Sequence, residues 1–339
     1  MINVAVVGAG FCGLAVAWSF LQPDRAHTPK NVTIFGSQPI GISTSGIAAG
    51  LLHPFVGIYS KLNHLGFEGY HATEKLISIA EKQMDKPVAA RTGICRIAQT
   101  VSQRSYFKKA SELNPGHIKW LEAEEMSAYI PGKCDSPGIF INTGMTVYAP
   151  EYLQGLWLAC QQKGAVFKHQ QIHSLQELSD YDVIVVAMGA DCTVLPELSH
   201  LRITRTKGQL LELNWPKDLP PLPTAINSQL YCIMSQENNH CIVGSTYEKV
   251  FNNTEPNLEI AANELLPKLN SLLPILEGAK ISACRSGVRA STPNRQPLLT
   301  KVNEECWVIS GMGSKGLLYH ALYAEQLVQS IWTEMKGKG

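Results

Sequence analysis

Gly8-Ala9-Gly10-Phe11-Cys12-Gly13 stands between the apolar run from Ile2 to Val7 and a second apolar stretch that begins at Leu14. Glycines at this spacing serve anion binding: the first permits a tight turn, the second lets backbone approach a pyrophosphate, and the third lets a helix pack on its strand. Free amides at the start of that helix hold phosphate oxygens. A dinucleotide site is therefore the reading of this loop, with a structural turn as the bland alternative. Near the other end, Trp307-Val308-Ile309-Ser310 followed by Gly311-Met312-Gly313-Ser314-Lys315-Gly316-Leu317 repeats the order strand, glycine turn, helix. Shortly before it, Arg289 lies in Cys284-Arg285-Ser286-Gly287-Val288-Arg289-Ala290-Ser291-Thr292-Pro293-Asn294-Arg295-Gln296-Pro297. A guanidinium offers two parallel donors to a carboxylate, although a surface ion pair is the ordinary use of an arginine.

The elements that must carry these groups follow from pattern. Ile2 to Val7 is rich in β-branched residues and suits a strand buried on both faces. The helix after Gly13 places Leu14, Ala17, Trp18 and Leu21 on one side, Pro23 ends it, and Asn31 to Phe35 supplies a second strand. This is one βαβ unit of a Rossmann-like parallel sheet. The second strand ends in Gly36-Ser37-Gln38, where a ribose carboxylate is expected; Asp24 comes too early, and no arginine follows to take a 2′-phosphate. Backbone at Gly36, or Ser37 and Gln38, must then hold the adenosine.

Further along, Phe67, Tyr70, Ile77, Ala80 and Met84 recur at helical spacing, and periodicity weakens from 88 to 145. Pro150 opens a helix that buries Leu153, Leu156, Trp157 and Cys160. Ala165 to Lys168 and Val183 to Val186 read as strands, the second ending at Ala187-Met188-Gly189. Gln209 to Leu213, Leu230 to Met234 and His240 to Val243 follow, with a turn at Glu237-Asn238-Asn239. Helical spacing returns from Asn257 to Leu276, broken by Pro267 and Pro274. The expected fold is α/β, with a parallel nucleotide-binding sheet interleaved with a unit built on a mainly antiparallel sheet plus helices.

Composition narrows the function. Of the 339 residues 45% are hydrophobic and 17% charged, the balance of a globular enzyme, and the formal charge of +1 gives no field to draw nucleic acid or an anionic membrane. Nine cysteines form no CxxC pair and no zinc spacing, so reduced thiols in a cytoplasmic protein, and no metal, are expected. The apolar N-terminus lacks the positive region of a signal peptide, and no stretch is long and apolar enough for a membrane span.

The segment from Cys284 to Pro297 and the Gly311 to Leu317 turn together resemble the closing signature of the D-amino acid oxidase family of flavoproteins, which includes glycine and sarcosine oxidases. The likeness extends to the first loop, to Ile42-Ser43-Thr44-Ser45-Gly46-Ile47-Ala48-Ala49-Gly50-Leu51-Leu52-His53-Pro54, to the Val183 to Ala190 strand, and to Tyr231 with Gly244-Ser245-Thr246-Tyr247-Glu248. Within that family the chain is most similar to the oxidase half of the bacterial enzymes that make 5-methylaminomethyl-2-thiouridine in tRNA, through Ser45-Gly46, Gly50, Leu52, Pro54 and the last turn. Nothing in it resembles their methyltransferase half.

The resemblance implies an oxidoreductase that moves hydride from a carbon–nitrogen bond to the flavin of FAD, leaving an imine for water to hydrolyse. Arg289 would clamp the substrate carboxylate. Tyr231 would line the pocket, unless it is core. Gly311, Gly313, Ser314, Gly316 and Leu317 would bring amides to the flavin, with Lys315 adding positive charge or simply solvated. Gly8, Gly10, Phe11, Cys12, Gly13, Ser45, Gly46, Ala49, Gly50, Leu52 and Gly189 would complete the cofactor site, and His53 would border the flavin or cap locally. Ile47 stands where some members tether FAD through histidine, which implies non-covalent FAD. Asn294 replaces the usual Asp, and Tyr231 is followed by Cys232-Ile233-Met234-Ser235 rather than a segment ending in Pro-Arg. The implied partners are a small amino acid or amine and oxygen or another electron acceptor; tRNA as substrate is disfavoured by the neutral charge. A flavin-binding subunit without catalysis is the third reading. The implied division gives 1–65, 145–200 and 280–339 to the FAD unit, and 66–144 and 201–279 to the substrate unit.

Overall fold

Apolar residues alternate faces along the opening strand Ile2–Val7: Val4 and Val6 join one core, Ala5 and Val7 another. A strand of this kind needs cover on both sides. The computed structural model describes residues 2–22, 29–132 and 134–337; Pro23 and Asp24 lie outside them. In it, Ile2–Val7 sits inside a six-stranded sheet, flanked in parallel by Val183–Val186 and Pro29–Gly36. Cys306–Ser310 and Val166–His169 extend the parallel array, and Leu298–Lys301 closes one edge as an antiparallel hairpin strand. Four helices, Phe11–Phe20, Gly66–Glu81, Ala149–Gln162 and Gly316–Lys336, share one core with one face of the sheet. Leu175, Leu178 and Leu198, on short 3₁₀ turns, and Leu195 between two of these turns pack on the other face.

Phe11–Phe20 is apolar almost all round, with Leu14, Ala15, Val16, Ala17 and Phe20 buried, because helices lie against it as well as strands. An eight-stranded sheet runs Ile281–Ser291, Thr204–Asn214, His240–Gly244, Tyr231–Met234, Ala225–Asn227, Ile94–Ile97, Gly138–Ile141, Ile118–Leu121, antiparallel except where Ala225–Asn227 meets Ile94–Ile97. A small three-stranded sheet joins Leu51–Leu52, Met145–Val147 and Ala89–Ala90.

Two sequence expectations change, and a third can be located. Pro267 does not break its helix, which runs Leu258–Leu272 with Ala261, Leu265 and Leu269 buried on either side of the proline. The weakly periodic 88–145 region holds a helix, Val101–Leu113, and several strands of two to four residues. The Cys284 to Ser291 stretch is most of an eleven-residue strand paired along Thr204–Asn214, so the proposed boundary at 280 stands at the foot of a strand of the eight-stranded sheet.

Candidate active site

Parallel strands open at their carboxyl ends onto one cavity of about 960 Å³, near the top of the usual ligand-site range of roughly 300–1,000 Å³. Residues 8–12, 36–39, 43–45, 47–51 and His53 line it, with 187–191 from the middle of the chain and 309–314, Gly316 and Leu317 from the end. The structure thus brings together Gly8, Gly10, Phe11, Cys12, Gly36, Ser37, Ser45, Ala49, Gly50, His53, Gly189, Tyr231, Arg289, Gly311, Gly313, Ser314, Gly316 and Leu317.

Four of the residues singled out stand off it. Gly13 and Gly46 are packed on backbone: an added Cβ would lie 1.7 Å from the Gly8 and Gly41 carbonyl oxygens, respectively. Leu52 is core, 0% exposed. Lys315, expected as an added positive charge or a solvated lysine, is not among the lining residues and sets its Nζ 5.8 Å from the centroid of the Tyr319 ring one turn along the helix.

What joins the remote chain ends is buried and specific. The Phe11 ring lies 5.1 Å from His320 and 5.9 Å from Tyr152 between centroids. His320 Nδ1 is 3.1 Å from the Gly316 carbonyl and 3.0 Å from that of Leu317, acceptors only, so it carries the proton and Nε2 accepts from the Tyr152 hydroxyl at 2.7 Å. The hydrogen bond ties the last helix to Ala149–Gln162, and the Phe11 ring brings the first helix against the same pair. Phe11 N–H donates to Ser45 Oγ at 3.2 Å, and Ser310 Oγ donates to the Gly189 carbonyl at 2.8 Å, linking further wall segments.

Toward the second strand the missing acid has a physical reason. A Cβ at Gly36 would come 2.9 Å from Cε2 of Phe167, which reaches over from the neighbouring strand. No side chain fits there without moving that ring. Ser37 and Gln38 line the cavity here, joined by Gln170 and Gln171 past the end of Val166–His169. Sequence reading missed these two because strand adjacency is a tertiary fact.

At the other end stand Arg289, Tyr231, Asn227, Ser245 and Tyr247. Arg289 Nη2 donates to Ser245 Oγ at 2.6 Å, and among the described residues no carboxylate lies within 4 Å of its guanidinium. Two glycines make room: a Cβ at Gly208 would meet Arg289 Nη2 at 2.7 Å, and one at Gly244 would meet the Tyr231 hydroxyl at 2.4 Å. The turn after Arg289 keeps its geometry with Asn294, whose Oδ1 accepts from Gln296 N–H at 3.1 Å and lies 2.8 Å from Thr292 Oγ1. The oxygen is what that turn uses, so the exchange of Asp for Asn preserves it.

Burial keeps several titratable groups at or behind the wall neutral. Burial, helped by the Arg96 charge, lowers His53 to about 3, and burial lowers His320, behind the wall, to about 4. Burial pushes the Cys12 thiol up to about 12 and raises the Tyr231 phenol, which the Arg289 charge and Ser245 hydroxyl partly oppose. Arg96, 5% exposed, donates to the Gly57 carbonyl at 2.8 Å and to Ser60 Oγ at 2.5 Å. Both imidazoles titrate below the free value of about 6.5, so the unfolded chain binds more protons between pH 6.5 and 4. Stability is full above pH 6.5 and falls as pH drops toward 4, and further toward 3 for His53. At about 1.4 kcal/mol per pKa unit, the pair withdraws several kcal/mol, and Tm is expected to fall by about 5–10 °C from pH 7 to pH 4.5. A flat Tm over that range contradicts the buried neutral pair.

Three observations test whether a flavin dinucleotide fits: first-turn amides of Phe11–Phe20 line the cavity and have no intrahelical acceptor; a Cβ at Gly10 would crowd Ser45 Oγ at 2.7 Å; and His53 Nδ1, buried on the wall, has no partner among the described residues. A pyrophosphate suits the first two and the polar edge of a heteroaromatic ring suits the third. The strand order and glycine turns define a dinucleotide-binding oxidoreductase. The FAD dependent oxidoreductase (DAO) family profile matches residues 3–330, and the chain belongs to that family.

Glycine oxidase of Bacillus licheniformis is 24% identical over 355 residues, covering 97% of this chain and 92% of that protein. The bifunctional tRNA 5-methylaminomethyl-2-thiouridine biosynthesis protein MnmC of Polaromonas naphthalenivorans is 25% identical over 386 residues, covering 97% of this chain and 56% of that one. The chain thus spans about half of that relative. Among solved structures, glycine oxidase from Geobacillus kaustophilus superposes with a TM-score of 0.82 at 21% identity, covering 98% and 95% of the two chains. Iminodiacetate oxidase from Chelativorans sp. gives 0.81 at 20% identity, covering 97% and 95%. Both share this fold. Among the described residues, no helix is long and apolar enough to cross a membrane.

Proposed function

We propose that this FAD-dependent oxidoreductase oxidises the carbon–nitrogen bond of an amino acid or N-substituted glycine, with FAD held non-covalently and oxygen or another acceptor taking the electrons. The observation that carries this reading is Arg289: a half-buried cation on the cavity wall, with Tyr231 beside it and no carboxylate partner among the described residues. A cation placed so is complementary to a ligand carboxylate. Bound FAD would supply the two-electron oxidation. Amides of residues 10–12 would hold its pyrophosphate, and those of residues 311–314 would face developing negative charge. Ile47 on the wall offers no tethering group, and the protonated Cys12 thiol is a poor one, which supports non-covalent binding. The division into a discontinuous FAD unit and an inserted substrate unit, and a cytoplasmic location suggested by nine free cysteines, belong to the same reading.

Among the described residues the imidazole on the cavity wall is His53, which burial and the Arg96 charge hold neutral at neutral pH. On this reading the substrate arrives as the free amine. kcat/KM is expected to rise about tenfold per pH unit up to the substrate's own ammonium pKa, and the limb should move in step between two substrates of different amine pKa. A limb fixed near neutrality for both would place a base on the protein instead.

The substrate class is tested by anaerobic mixing with D-amino acids, sarcosine, glycine and iminodiacetate, set against tRNA carrying the carboxymethylaminomethyl precursor. Bleaching of the flavin band by the small carboxylates and not by the tRNA supports the reading. Bleaching by the tRNA alone favours the second reading, which the similarity to MnmC motivates. Bound flavin that no substrate bleaches leaves a flavin-binding subunit.

A further inference from the structure

Ser245 lines the cavity, and nothing above gives it work of its own. Its Oγ accepts from Arg289 Nη2 at 2.6 Å, and it directly follows Gly244, which pairs with Tyr231 across the sheet and whose added Cβ would meet the Tyr231 hydroxyl at 2.4 Å. Arg289 and Tyr231 come from different strands, Ile281–Ser291 and Tyr231–Met234, which do not pair with each other. The serine sits just past His240–Gly244, which pairs with Tyr231–Met234 on one side and with Thr204–Asn214 on the other. It therefore spans the two groups a carboxylate would meet.

The backbone that holds Ser245 is fixed from behind. Thr246 Oγ1 accepts from Gln209 N–H at 2.9 Å and donates to Glu248 Oε1 at 2.7 Å. Gln209 Nε2 donates to the same carboxylate oxygen at 2.9 Å, and Gln209 Oε1 accepts from Asn257 N–H at 2.5 Å. Gln209 and Thr246 are both 0% exposed. A saturated buried network of this kind has one arrangement and little slack.

We propose that Ser245 is a positioning residue, whose hydroxyl sets one Arg289 donor against Tyr231 so that a ligand carboxylate meets a fixed pair. The proposal rests on the carboxylate-clamp reading of Arg289. One Nη2 hydrogen is spent on Ser245, which leaves the remaining guanidinium donors for the ligand. The Ser245 proton, not needed by Arg289, is free to be donated toward Tyr231.

The test uses the flavin-loaded protein and acetate as probe, its Kd read from perturbation of the flavin spectrum, with uncharged acetamide as control. Ser245→Ala is expected to weaken acetate about tenfold, the loss of one charge-assisted hydrogen bond, and to raise the KM of a carboxylate substrate equally. kcat should change less than about threefold and acetamide binding not at all. In an Arg289→Ala background the Ser245→Ala effect should vanish, because it acts through the guanidinium. Acetate affinity unchanged in Ser245→Ala overturns the proposal, as does equal weakening of acetamide, or the same loss in both backgrounds. If Arg289→Ala alone leaves acetate unchanged, the clamp reading has failed. A strong Arg289→Ala effect beside an inert Ser245→Ala removes only the proposal made here.

Discussion

Arg289→Ala is expected to raise KM for carboxylate substrates and lower kcat/KM by about 30-fold to 5,000-fold, while the protein keeps its flavin. Truncating one partner of a hydrogen-bonded charge pair costs roughly 2–5 kcal/mol, and each 1.4 kcal/mol is tenfold. The upper part of that range applies if the ligand carboxylate is left facing Tyr231 and Ser245 with no cation. Arg289 stands on a strand of the eight-stranded sheet and makes no backbone contact that alanine would remove, so folding and flavin content should hold. Arg289→Lys keeps the charge but loses the planar fork, and is expected to recover only part of the loss. Steady-state kinetics with one amino acid and its decarboxylated amine would show it: the amine should be a poor substrate for the parent and no poorer for Arg289→Ala. Equal kcat/KM in parent and variant takes Arg289 out of the site.

Gly13→Ala is expected to give protein that purifies with little or no flavin, its FAD affinity weakened at least about a hundredfold. Its Cβ would fall 1.7 Å from the Gly8 carbonyl oxygen and 2.8 Å from that carbonyl's carbon. Backbone cannot swing aside as a side chain can, so the 8–13 turn must open and its amides lose their aim. Gly189→Ala is the comparison: Gly189 has a positive φ, +58°, which Gly13 does not, but its Cβ would meet nothing within 4 Å. There only the left-handed backbone penalty applies, about 1–2 kcal/mol of stability, and flavin should remain. Absorbance of the two purified variants, followed by titration of apoprotein with FAD, separates them. If Gly13→Ala binds FAD as the parent does, the loop does not serve the cofactor.

How much of this was legible in the sequence follows from what each signal depends on. The strand–loop–helix at each end could be read because Ile2 to Val7 and Cys306–Ser310 are mostly apolar, and the glycines that follow them obey local rules. The 88–145 region could not, because its strands last two to four residues and Ile94–Ile97 is buried throughout, charged Arg96 included, so no alternation survives. Gly36 looked like a lost acid; only the approach of Phe167 from another strand shows a filled volume. Gly208 and Gly244 carry no local motif, and their purpose appears only when Arg289 and Tyr231 are in place. Sequence order puts Lys315 in the turn but not the direction of its side chain, which lies near the Tyr319 ring.

A crystal structure of the protein with FAD and acetate tests the central claim most directly. The account predicts pyrophosphate against the amides of residues 10–12, the flavin ring between His53 and the 311–314 turn, and acetate on Arg289 beside Tyr231. FAD bound elsewhere, or a ring turned so that acetate on Arg289 cannot reach its face, would contradict it.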